Sequence, residues 1–167
     1  MASNFDFLKV DTDTALLFST VNMAENNYSQ KDYEGVLIKV RKVAENTANL
    51  FANCAHIELP SHSTFHETLQ TIKSYIKNKE IVDAFFEIKG HGNSSAHKLN
   101  PKDATQENAL KSLKQVYMIL VWFVTEYVDD RIKVCLYDNF LEPKAQERYT
   151  TAERKFIYVQ TVNNESG

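Results

Sequence analysis

Only 4 glycines, 3 prolines, 2 cysteines and 1 tryptophan occur among 167 residues. Cys54 and Cys135 stand in unrelated contexts with no CxxC spacing, which argues against a thiolate metal clamp and reads as two buried, reduced thiols. The longest apolar run, "VYMILVWFV" over 116–124, is about half of a membrane span. The opening "MASNFDFLKVDTD" turns polar and acidic too early for a signal peptide. A cytoplasmic protein with no membrane contact is therefore expected. Positive charge is in short supply too: 19 Lys and Arg against 22 Asp and Glu give a net charge of −3. No global basic field recruits nucleic acid, so any such contact needs a local patch or a partner. P-loop, GxSxG, HExxH and EF-hand patterns are absent, as is an RNP-like aromatic pair, and no cofactor is expected.

What the chain does have is enough apolar material, 43%, for a core in one domain. After Asp11 or Asp13 as cap, Leu17, Val21, Ala24 and Tyr28 recur at helical spacing and predict a first helix over 13–28. Val36, Leu37, Val40, Val43, Ala44, Thr47, Phe51 and Cys54 fit one face of a long second helix over 32–55. Thr64 with Glu67 has the form of a capping box for a third helix over 64–77. "EIVDAFFEIK" predicts a fourth over 79–90 that closes at Gly90. Asp103 with Gln106 can cap a fifth over 103–128, central to the bundle because 116–124 is apolar all round. Beyond 130, "RIKVCLY" and "RKFIYVQTV" alternate with period two and read as two strands. The fold class expected is all-α, a bundle of about five helices over 1–130, with a short β extension, hairpin or linker over 131–167.

Three constellations could carry chemistry. Asp83, Glu87 and Lys89 resemble the D…ExK pattern of metal-dependent nucleases, but that chemistry is built on strands and the pattern here is helical, so a solvated helix face is expected. His62 and His66, with Cys54 and His56 nearby, lack the fourth ligand of a structural zinc site and read as exposed histidines; no metal is expected. "KGHGNSSAH" over 89–97 spends two of the scarce glycines in one knot. Asn93 and His97 are four apart, which on a helix places an amide and an imidazole on one face. On spacing alone, Asn93 is a cap and His97 is hydrogen-bonded beneath a loop.

"NFDFL", "AENNY" (24–28), "LIKVRKVAEN" (37–46) and "FFEIKGHGNSSAH" (85–97) occur in that order. Together they resemble the N-terminal domain of type I restriction enzyme R (HsdR) subunits, a helical domain of the wider HEPN-like group, which includes many RNA-cleaving toxins. The resemblance covers about residues 4 to 128 and does not reach the nuclease or translocase regions of R subunits. It implies that Asn93 and His97 match two of the three positions of the HEPN ribonuclease motif, with Gly92 in place of the arginine. Losing an arginine that stabilises a phosphoryl transition state costs about 10³ to 10⁵ in rate, so a weak or silent version is implied.

The resemblance also matches Lys89 to a position where R-subunit relatives carry arginine, and Arg41 and Glu45 to an arginine and a glutamate of the second helix. The implied interaction face is Arg41, Glu45, Lys89, Asn93, His97 and Lys98. The implied role is a non-catalytic docking domain of a bacterial restriction or phage-defence assembly. It would meet a protein partner or the rest of the complex, reach DNA or RNA only indirectly, and allow a homodimer. The alternative is a metal-independent ribonuclease using Asn93 and His97 with Lys89 or Lys98.

Overall fold

Why the chain folds as helices is visible at their ends. A computed structural model describes residues 3–10, 12–91 and 102–128. Among them every regular element is helical: α1 (Thr12–Ser29), α2 (Tyr33–Cys54), α3 (Phe65–Ile72), α4 (Lys79–His91) and α5 (Gln106–Phe123). A 3-10 helix, Asp6–Val10, precedes α1, a 3-10 turn, Lys73–Tyr75, continues α3, and a π-helical turn, Val124–Val128, continues α5. This is the all-α bundle that the periodicity predicts. The expected strands beyond 130, Cys135 and the knot from Gly92 onward lie outside the described residues.

The α3 cap is as predicted: Thr64 Oγ1 accepts from the Glu67 amide (3.2 Å) and Glu67 Oε2 accepts from the Thr64 amide (3.1 Å). The start of α5 differs. Thr105 is its cap, with Oγ1 accepting from the Asn108 amide at 3.1 Å, and Asp103 contributes its backbone carbonyl to Thr105 and to the Asn108 side chain instead. A hydroxyl in the residue next to the helix displaces the more distant carboxylate. Asp13 lies inside the first turn of α1, not at its cap position.

Glycine does not end α1 or α2. α4 runs through Gly90 to His91, and among the described residues the positions with positive φ are Lys31 (63°), His56 (55°) and His62 (57°). After α1, the Asp32 amide donates to Asn27 O (2.8 Å) and the Lys31 amide to Tyr28 O (3.0 Å); after α2, Ile57 donates to Ala52 O (2.8 Å) and His56 to Asn53 O (3.2 Å). Both are Schellman closures, the motif in which glycine ordinarily takes the left-handed position. Two side chains here carry a strain that glycine would not. His56→Gly is therefore expected to raise the unfolding free energy by up to about 1 kcal/mol, read in a urea titration.

The three-residue turn Gln30–Asp32 folds α2 back on α1. Asp32 caps α2 by accepting from the Gly35 amide (3.0 Å) and takes a second bond from Asn27 Nδ2 (2.9 Å). A Cβ on Gly35 would collide with that amide and carboxylate, so a larger residue there would displace the Asn27–Asp32 pair. From this hairpin α2 reaches every other helix, and α5 packs on α1, α2 and α4. Val40, Phe51, Leu69, Phe85, Val116 and Leu120, the residues expected in the core, are all buried. Cys54 is a correction: on the last turn of α2 it is exposed, because the helix there has run past the core that buries Phe51 and Ala52.

The largest departure is at the start of the chain, which reads as polar. Phe5, Phe7 and Leu8 are 0–2% exposed and enter the same core. Both rings meet Tyr117 of α5 edge-on at 5.6 Å. The polar residues of this stretch are satisfied inward: Ser3 Oγ and Asn4 Nδ2 (2.9 Å) donate to the Glu25 carboxylate, and Thr14 Oγ1 donates to Leu8 O at 2.7 Å.

Candidate functional site

The first turn of α3 is where two of the predicted site residues, Arg41 and Lys89, meet. Its capping box fixes the entry angle of the helix, so that Phe65 turns inward and is buried while the next residue, His66, faces solvent. From α2, the Arg41 guanidinium lies over the Phe65 ring, 5.7 Å from its centroid. From α4, Lys89 Nζ lies 3.0 Å from His66 Nδ1 and 5.7 Å from the centroid of Phe86. His66 meets Phe86 edge-on at 6.4 Å. Arg41 and Lys89 thus lean on adjacent residues of one helical turn although 48 positions separate them in sequence.

Each cation–ring contact is worth about 0.5–1 kcal/mol at an exposed site and holds a long side chain in one place. With an ammonium as donor, His66 Nδ1 is the acceptor in this contact. The result is two cations with an imidazole between them. Such a surface can receive carboxylates or phosphates; among its described residues no nucleophile is aligned with a base. Glu45, half-buried, lies one helical turn beyond Arg41 on α2. Asn93, His97 and Lys98 lie outside the described residues; Lys89 is four positions before Asn93 in the chain.

The nuclease-like trio is separated. Glu87 turns to the opposite side of α4 from Lys89 and bridges to α5, where its carboxylate pairs with Lys111 and accepts from Gln115 Nε2 at 2.6 Å, while Asp83 is exposed. Two positions along a helix rotate a side chain by about 200°, so the acid and the lysine cannot serve one ion. The Lys111 ammonium hydrogen-bonded to Glu87 holds its carboxyl below the usual range; partial burial opposes this, while Gln115 and the charges of Lys111 and His91 add to it.

A depressed carboxyl stabilises the fold above its unfolded-state pKa, and the contribution is lost as pH falls below about 4.5 and through the folded value. The pair is well exposed, which limits its worth to about 1 kcal/mol or less. Lys111→Met should cost that much at neutral pH and progressively nothing in acid, measured as the difference between two urea unfolding series. Among the described residues no three His, Cys, Asp or Glu side chains group closely enough to hold a metal ion, and no helix is long and apolar enough to cross a membrane.

No protein-family model, curated protein or solved structure matches this chain.

Sequence reasoning places Arg41 and Lys89 on one face but misses the residues that unite them. Phe65 reads only as an apolar residue of the third helix, Phe86 has no reading of its own, and His66 reads only as half of an exposed histidine pair. His62, its supposed companion, sits in the turn before the capping box with a left-handed backbone. No spacing within one helix could signal a contact that α3 makes with two others.

Proposed function

We propose that this chain is a non-catalytic docking domain of a bacterial restriction or phage-defence assembly, of the kind found at the start of type I restriction R subunits. We further propose that the face built by α2, α3 and α4 is its contact surface. One observation carries the reading. Two of the six residues that the sequence resemblance assigns to an interaction face, Arg41 and Lys89, come from different helices and are immobilised on the same turn of α3. Cations already ordered before a partner arrives lose less side-chain entropy when they bind it. The resemblance adds Glu45, and Asn93, His97 and Lys98 from the sequence that follows α4, to this set.

The resemblance to R subunits supports a protein of the parent complex as the immediate partner, with DNA reached through that complex, and the two cations suit an acidic surface on it. The chain's net charge of −3 agrees with this, since it does not favour direct capture of a polyanion. Gly92 in the arginine position supports the absence of catalysis. Two measurements test the reading. The purified chain is expected to leave single-stranded RNA and DNA intact, with or without divalent metal. It is also expected to co-elute with its cognate restriction complex in size-exclusion chromatography. RNA cleavage that His97→Ala abolishes would replace this reading with a metal-independent ribonuclease, and separate elution would remove the docking role.

A further inference from the structure

The connection from α3 to α4 carries a surface that nothing in the fold uses. Three buried isoleucines pin it: Ile72 at the end of α3, Ile76 in extended backbone (φ −99°, ψ 113°) and Ile81 in the first turn of α4. With Ile76 turned inward, its neighbours Tyr75 and Lys77 face out. Tyr75 is 59% exposed, and among the described residues its side chain makes no ring contact and no hydrogen bond. Tyr127, the other exposed aromatic among them, is packed on Phe51, Trp122 and Phe123. Lys73, Lys77 and Lys79 flank the Tyr75 ring, all exposed, and none pairs with a carboxylate among the described residues. The acids nearest in sequence are Glu67, engaged in the α3 cap, and Glu80 and Asp83 in α4, so the stretch 73–79 itself holds three positive charges and no negative one.

We infer that this connection is a contact site for single-stranded nucleic acid, with one unstacked base on the Tyr75 ring and the phosphates beside it on Lys73, Lys77 and Lys79. Ring and ammonium groups together select that occupant. An acidic protein surface would use the lysines and leave the ring in water, whereas a nucleotide strand presents a π-face and an anion at every step. A duplex would use only the lysines as well, because its bases are already stacked on one another. The isoleucine anchors fix where the ring stands before a strand arrives, which lowers the cost of ordering it. A net charge of −3 draws no polyanion from a distance. The site therefore acts at short range and binds in the ordinary non-specific range, about 10⁻⁴ to 10⁻⁶ M at physiological salt. This contact goes beyond the docking role, in which DNA is reached through the complex, and it uses none of Arg41, Glu45 or Lys89.

Fluorescence anisotropy of labelled oligo(dT) and oligo(U), titrated with the full chain over a series of salt concentrations, tests it. The parent should bind, with log affinity falling against log salt at a slope of about −2, the value for three phosphates of a single strand at about 0.7 each. Tyr75→Leu, which keeps the bulk and loses the π-face, should bind about tenfold more weakly at the same slope, and Tyr75→Trp should bind at least as well as the parent. Lys73→Gln/Lys77→Gln/Lys79→Gln should bring the slope to about zero. All four positions face solvent, so circular dichroism of each variant should match that of the parent. Failure of the parent to bind either strand at the lowest salt overturns the inference, as does binding that Tyr75→Leu leaves unchanged. A duplex bound as tightly as the single strand overturns it too, and so does equal competition by oligoglutamate, which would mark the connection as a contact for an acidic protein.

Discussion

Phe5→Ala should lower the unfolding free energy by about 3–5 kcal/mol, the cost of emptying a phenylalanine site in a packed core. Phe5 is 0% exposed and lies between Phe7, with centroids 6.5 Å apart, and the edge of Tyr117 at 5.6 Å. The cavity cannot close easily, because the backbone around it is tied down. Ser3 and Asn4 are held to Glu25 of α1, and Leu8 O accepts from Thr14. A loss of that size is a large share of the 5–15 kcal/mol that ordinarily holds a domain together. Urea unfolding followed by circular dichroism measures it directly. A loss below about 1 kcal/mol would mean that the start of the chain lies on the bundle rather than in it.

Phe51→Ala is expected to cost about as much near the end of α5. Phe51, 1% exposed, joins α2 to the end of α5 through Trp122 (5.2 Å) and Tyr127 (5.1 Å, edge-on). Tyr127 also stacks on Phe123 at 6.0 Å, so removing one ring loosens the other three. Two spectroscopic consequences follow. Trp122 is the sole tryptophan, and its emission should shift to the red as water enters. Burial within this group, with the nearby Glu126 charge, raises the Tyr127 phenol above its ordinary value, and the variant should bring it down in an alkaline absorbance titration. An unchanged emission maximum would show that the cluster does not depend on Phe51.

What could be read from the sequence was whatever repeats within a single element. The stripes of α2 and α5 recur often enough to define the core, and the Thr64–Glu67 box marks the start of α3 because its two partners are three residues apart. Phe5 and Phe7 were not legible as core because they precede the first helical period and alternate within a stretch too short to have one. Nor were Lys31 and His56 as helix ends: the signal is glycine, and glycine is not used there. For the site the limit is the same. Arg41 and Lys89 could be singled out, whereas Phe65, His66 and Phe86, which hold them, become visible only when α3 is laid between α2 and α4.

The measurement that bears most directly on the docking role is a comparison of binding with stability in Arg41→Glu/Lys89→Glu. Both side chains lie at the surface of the bundle, so the variant should lose no more than about 2 kcal/mol of unfolding free energy, the worth of two cation–ring contacts. Its affinity for the cognate restriction complex, followed by titration calorimetry, should fall at least tenfold, because two attractive charges become repulsive. Undiminished binding by a folded double variant would contradict the account, as would a loss of stability large enough to explain the loss of binding by itself.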